Sequence, residues 1–114
     1  MNELATNHRA NLIRTLSYLA RESAQKEYKQ KVPFVHVPLE LLAQWDAAYA
    51  PRHMDWCTGA FSEIEREALD VFQKLLIQQL PEPSVLRDVP DVFVSHEWMA
   101  VRDGAAQLLN VLVE

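Results

Sequence analysis

Apolar positions along the chain recur mostly at spacings of three and four, the period that puts side chains on one side of an α-helix. Over residues 7–30, Leu12, Leu16, Leu19 and Ser23 keep this spacing, and Ile13 and Ala20 widen the stripe. Asn2 or Asn7 suits the cap position. The opposite side carries Arg14, Tyr18, Arg21 and Gln25. One long first helix is therefore predicted. KVPFVHVP (31–38) interrupts it, because Pro33 and Pro38 lack amide donors and push the residues before them toward extended backbone. This segment reads as an extended connector that tucks Phe34, Val35 and Val37 onto the core.

Pro38 suits the first position of a second helix. In PLELLAQWDAAYA (38–50), Leu39, Leu42, Ala43, Asp46 and Tyr49 or Ala50 share one side, and Pro51 ends the run. PRHMDWCTGA (51–60) reads as a loop. In the third helix, Ser62 and Glu65 form the S-x-x-E capping box, in which hydroxyl and carboxylate each satisfy an otherwise unpaired amide. Ile64, Ala68, Leu69, Phe72, Leu75 and Leu76 make its apolar face, and Pro81 stops it. PEPSVLRDVPDV (81–92) is a connection with room for one helical turn after Ser84. The last helix starts between Asp91 and Ser95, with Trp98, Val101, Ala105, Leu108, Leu109 and Leu112 facing inward. Gly104 inside it suggests a close crossing of another helix, since glycine there costs about 1 kcal/mol relative to alanine.

These elements predict an all-α fold: one domain over residues 1–114, a bundle of about four main helices with proline-rich connections. A short two-strand pairing of FVHV (34–37) with VFV (92–94) is the one β element left open. Composition agrees. There are only two glycines in 114 residues, too few for a turn-dense β fold, and a chain of this length buries one core unaided. A single cysteine, Cys57, excludes an intrachain disulfide and suggests a cytoplasmic protein. The first ten residues lack the pattern of a secretion signal, and no run approaches a membrane span.

Charge narrows the role further. The net charge of −5 hides an asymmetry: residues 1–31 hold six basic and three acidic residues, and residues 32–114 hold five basic and thirteen acidic. An acidic body disfavours nucleic acid, whose phosphates require Lys and Arg. The first helix has a basic-aromatic set, Arg14, Tyr18, Arg21, Lys26, Tyr28, Lys29 and Lys31, but the acidic remainder weighs against its use on nucleic acid.

Catalytic signatures are missing. His53, Asp55 and Cys57 alternate and are all zinc-ligand types, yet they lack the usual spaced pairs. A Cys57–His53 nucleophile would still need an orienting group and an oxyanion site. Two glycines cannot build a phosphate-binding loop. No enzyme activity, cofactor or metal is expected.

The remaining lead is the acidic side of the third helix. At 100° per residue, Glu63, Glu67 and Asp70 fall within a sector of about 60° opposite the apolar face. Acids early in a helix favour its positive end, which accounts for part of this. Asp55 and Trp56 precede the helix, and Asp88 and Asp91 follow it. If these loops meet, acids and an aromatic form one patch suited to steering a basic partner. FSEIEREALDVFQKLL (61–76) resembles the helix opening on a Ser/Thr-x-Glu cap in some small, acidic immunity proteins, which neutralise interbacterial toxins of contact-dependent and related systems. The resemblance covers 16 of 114 residues. It implies a protein-binding inhibitor that occludes a basic toxin domain, such as a nuclease, with Glu63, Glu67, Asp70, Asp55, Trp56, Asp88 and Asp91 as contacts. The alternative is an adaptor that homodimerises through the Tyr18 side of the first helix.

Overall fold

The first helix breaks where the chain has neither proline nor glycine. In the computed structural model, which describes residues 2–113, α1 spans Glu3–Ala20 and α2 spans Glu22–Lys31, with Arg21 extended between them at φ −133° and ψ 120°. A break leaves carbonyls without helical donors. Gln25 supplies them: its Nε2 donates to the carbonyls of Tyr18 at 3.0 Å and Leu19 at 3.2 Å. Its Oε1 accepts from the Trp98 indole at 3.0 Å. The predicted single helix is thus two, and Gln25 is fully buried rather than on the outer side. Ser23, expected to extend the stripe, is exposed.

The other helices are α3 (Val37–Tyr49), α4 (Glu63–Gln79) and α5 (His96–Val113), giving five helices and no strand among the described residues. Asn2 caps α1 by accepting from the Ala5 amide at 2.7 Å. The two segments expected to pair as strands do not. VFV lies in a 3-10 turn, Asp91–Val94. FVHV runs into the start of α3, where His36 is the cap.

Contacts fix the directions. His8 on α1 meets Ala48 on α3, while Tyr28 on α2 meets Gln44, so α3 returns antiparallel to α1. Trp45 and Tyr49 of α3 bond Gln73 and Asp70 of α4, and Arg9 near the start of α1 bonds the Leu112 carbonyl near the end of α5. The result is an up-down-up-down bundle with α2 as a bent continuation of α1. Its core is Leu12, Leu16 and Leu19 of α1, Leu41 and Trp45 of α3, Leu69, Phe72 and Leu76 of α4, and Trp98, Val101, Ala105, Leu108 and Leu112 of α5.

Two helix faces differ from the periodicity. α3 buries Val37, Pro38, Leu41, Trp45 and Ala48 and leaves Ala43 and Asp46 exposed, a rotation of roughly 140° at 100° per residue from the predicted side. Trp45 decides this. Its ring, fully buried, stacks on Tyr49 at 5.3 Å and meets the Phe72 ring edge-on at 4.8 Å. α5 packs on α4 as expected from Gly104, where an added Cβ would sit 3.2 Å from Leu75 Cδ2 and 3.3 Å from Phe72 Cδ1. In the α2–α3 connector, Val37 is buried and Val35 packs partly on the core, but Phe34 points outward and is 86% exposed.

Candidate functional site

The start of α4 is held by one arginine. Arg9 donates to both carboxylate oxygens of Glu65, at 2.9 and 2.8 Å, and to the carbonyls of Ala60 at 2.8 Å and Leu112 at 2.7 Å. Glu65 also completes the capping box by accepting from the Ser62 amide at 2.8 Å, while Ser62 Oγ accepts from the Glu65 amide at 3.1 Å. The Arg9 hydrogen bond is the main reason the Glu65 carboxyl is held below its ordinary range. Arg9 therefore ties α1, α4 and α5 together and fixes the angle at which α4 leaves the loop.

On that frame the seven residues singled out in the sequence separate. Asp70 accepts from the Tyr49 hydroxyl at 2.6 Å and from Arg52 Nε at 3.2 Å, and the Arg52 guanidinium lies 3.7 Å from the Tyr49 ring centre. Burial first, then the hydrogen bond to Asp70, pushes the Tyr49 hydroxyl up to about 12. The Asp70 charge is thus paired within the chain. So is that of Asp88, which accepts from Lys29 Nζ at 2.7 Å and from the amides of Val37 at 3.0 Å and Val89 at 2.8 Å. Burial opposes the charged form of Asp88, and these donors outweigh it, so its pKa falls. Its structural work is to latch the 86–89 segment to the α2–α3 connector, beside the His36 Nε2 to Leu86 carbonyl bond at 2.9 Å.

Glu63, Glu67, Asp55 and Asp91 are exposed, and none is in an ion pair among the described residues. Trp56 is half-buried, its ring edge-to-face with His8 at 5.2 Å. The loops carrying Asp55 and Asp91 adjoin opposite ends of α4, about 25 Å apart at 1.5 Å per residue. Asp55 and Trp56 therefore sit at the Glu63 end, while Asp91 belongs to the far end.

Periodicity missed what lies beside the free acids. Ile64, expected in the core, is 73% exposed, and Val71 is 67% exposed. α4 carries two adjacent apolar rows. The core takes Leu69, Phe72 and Leu76, and the row Ile64, Ala68, Val71 and Leu75 opens outward beside α5. The signal was present in the sequence as an apolar sector wider than one core contact needs. A shallow crevice of about 250 Å³ follows this row along Gly104 and Val111 of α5.

Other candidate chemistry is inert or dispersed. Cys57 is buried, and burial pushes its thiol pKa up, away from the nucleophilic thiolate. His53 is exposed, and among the described residues no three His, Cys, Asp or Glu side chains gather as a metal site. The basic-aromatic set of the first helix is split by the break: Tyr18 packs edge-on against Tyr28 at 5.4 Å, Lys29 is bound to Asp88, and Lys26 covers the Phe93 ring. No helix among the described residues is long and apolar enough to cross a membrane.

No family model, curated protein or solved structure matches this chain. Any reading of function therefore rests on its surfaces.

Proposed function

We propose that this chain is a non-enzymatic protein-binding inhibitor of the immunity type, which occludes a basic surface of a toxin domain with the first half of α4. One observation carries the reading: Ile64 and Val71 are exposed on the same side of α4 as Glu63 and Glu67, whose carboxylates have no ion-pair partner among the described residues. Interfaces are commonly built this way, with an apolar centre to anchor and a polar rim to orient. Two unpaired carboxylates steer a positive surface to fast encounter, and a nuclease face that holds nucleic acid is positive of necessity. Asp55 and Trp56 adjoin the same end of α4 and extend the rim. Asp70 and Asp88 support the frame instead of contributing free charge. A homodimer through the Tyr18 side of the first helix is less well supported, because that ring is already packed against Tyr28.

The test is recovery of a partner from the native host by tagged pull-down, followed by kinetics on the isolated pair. Glu63→Lys with Glu67→Lys is expected to slow association, with the effect shrinking as salt rises. Ile64→Asp is expected to speed dissociation. Recovery of the chain alone, or a partner that binds both variants as it binds the original, would sink the reading.

A further inference from the structure

At the far end of the bundle the chain has a second surface that the α4 reading does not use. α4 ends at Gln79 with Leu80 as its cap, and the connection to α5 makes two 3-10 turns, Pro83–Val85 and Asp91–Val94. Between them lies a cleft of about 710 Å³, within the range of clefts that bind an apolar group. Leu80 and Val92 form its buried floor, and Val85 and Val94, at 72% and 81% exposure, stand at its mouth. Glu82, Asp91 and Glu97 also line it, all exposed and none in an ion pair among the described residues. Arg87 is the one cation in the lining among the described residues. The side-chain amides of Gln78 and Gln79, also in the wall, make no hydrogen bond within the described residues, which leaves them free for a visiting backbone.

An apolar cleft with an acidic rim fits a segment with an exposed apolar side chain among basic residues. The chain carries one. Phe34 is the most exposed large apolar side chain among the described residues, at 86%. It follows Lys26, Lys29 and Lys31 in the basic third of the sequence. Lys29 is held by Asp88, but Lys31 is exposed, engaged among the described residues only by Glu27 across one helical turn, a pairing worth little in water. Phe34 also lies beside the cleft. The bonds from His36 to the Leu86 carbonyl, and from Asp88 to Lys29 and the Val37 amide, clamp its connector to the cleft's own wall. Donor and acceptor surfaces are therefore neighbours on one end of the molecule. A two-fold axis needs this arrangement, because each protomer then offers its projection to the other's recess.

We infer that a second copy of this chain occupies the cleft: two protomers meet end to end, each inserting Phe34 between Val85 and Val94 of the other, with Lys31 facing Glu82, Asp91 and Glu97. The inference does not rest on the α4 reading, and α4 remains free in such a dimer along its Glu63 end.

Sedimentation velocity over a concentration series tests it. The chain is expected to dimerise reversibly, more weakly as salt rises. Phe34→Ser and Val94→Asp both change exposed positions, so the fold should stay intact, as circular dichroism will report. Each alone removes both insertions; one buried aromatic anchor contributes on the order of 10- to 100-fold, so losing both weakens association on the order of 100- to 10,000-fold. Mixed together, the two variants restore one of the two insertions, because the first keeps its cleft and the second keeps its Phe34. The mixture is therefore expected to associate more strongly than either variant alone. A chain that stays monomeric to about 0.5 mM, the edge of millimolar encounters, overturns the inference. So does a dimer that Phe34→Ser leaves unchanged, or a mixture no stronger than its components. Failure here leaves the α4 test standing, since its variants are read against a different partner.

Discussion

Replacing Gln25 with leucine removes the side chain that makes the break in the first helix tolerable. Leucine has nearly the same bulk, so little packing is lost. The Trp98 indole N–H, buried in the core, loses its only partner among the described residues, and the Leu19 carbonyl loses a donor. The Tyr18 carbonyl keeps only the Arg21 amide at 3.4 Å. Leaving a buried polar group unpaired costs about 1–3 kcal/mol, so the two main losses together cost about 2–6 kcal/mol. Burying leucine in place of an amide returns about 1–2 kcal/mol. The balance spans about 0–5 kcal/mol; Gln25→Leu is expected near its middle, about 2–3 kcal/mol of destabilisation, which moves the urea midpoint down by roughly 1–2 M. Far-ultraviolet circular dichroism is the right readout, because tryptophan fluorescence would report Trp98 directly. Trp98→Phe separates the parts. In that background the unpaired N–H is gone, so Gln25→Leu should cost less, by about 1 kcal/mol or more. A Gln25→Leu protein within about 0.5 kcal/mol of the original, or a strictly additive pair, would refute the account of the break.

Three further outcomes follow from the bonds around α4. Arg9→Met removes four hydrogen bonds across α1, α4 and α5 and is expected to cost about 2–3 kcal/mol, after discounting for partial exposure of the pair. Because Arg9 holds the Glu65 pKa below its ordinary 4.5, that stabilisation is present above pH 4.5 and is lost as pH falls through the folded value. The stability of Arg9→Met should accordingly decline less on acidification, as denaturant titrations across that range will show. Tyr49 should ionise near pH 12 in a phenolate absorbance titration. Its raised pKa favours the fold below pH 10, and the benefit disappears as pH climbs toward 12; Asp70→Asn should lower that pKa only part of the way, since burial is the larger cause. Gly104→Ala should raise stability by roughly 0.5 kcal/mol in thermal unfolding, because most of alanine's helix advantage survives if the half-buried Leu75 yields a few tenths of an ångström; a marked loss would show that Leu75 and Phe72 cannot move.

Most of the fold was legible where the determinants are local. Ser62 and Glu65 cap α4 through atoms three residues apart, Asn2 caps α1 in the same way, and Pro38 and Pro81 set boundaries through their own geometry. The inward side of α5 followed from spacing alone, since Trp98, Val101, Ala105, Leu108 and Leu112 are its only large apolar row. These features made the all-helical class readable. Of the candidate site, the exposed acids Glu63 and Glu67 were readable in the same way, because a helix with one apolar side must turn the other to water.

Tertiary structure decided the features whose partners are distant in sequence. Whether α4 buries Ile64 or Leu69 depends on how closely α5 and α3 approach, which spacing within α4 does not encode. Trp45 turned α3 toward Phe72, 27 positions away, against the side its leucines favoured. Gln25 became a core residue because Trp98, 73 positions later, needed an acceptor. Asp70 and Asp88 looked like free surface charge until Arg52, Tyr49 and Lys29 were placed against them. A side chain's charge and shape are written locally; whether it faces water, a partner or the core depends on which segments meet it in the folded chain.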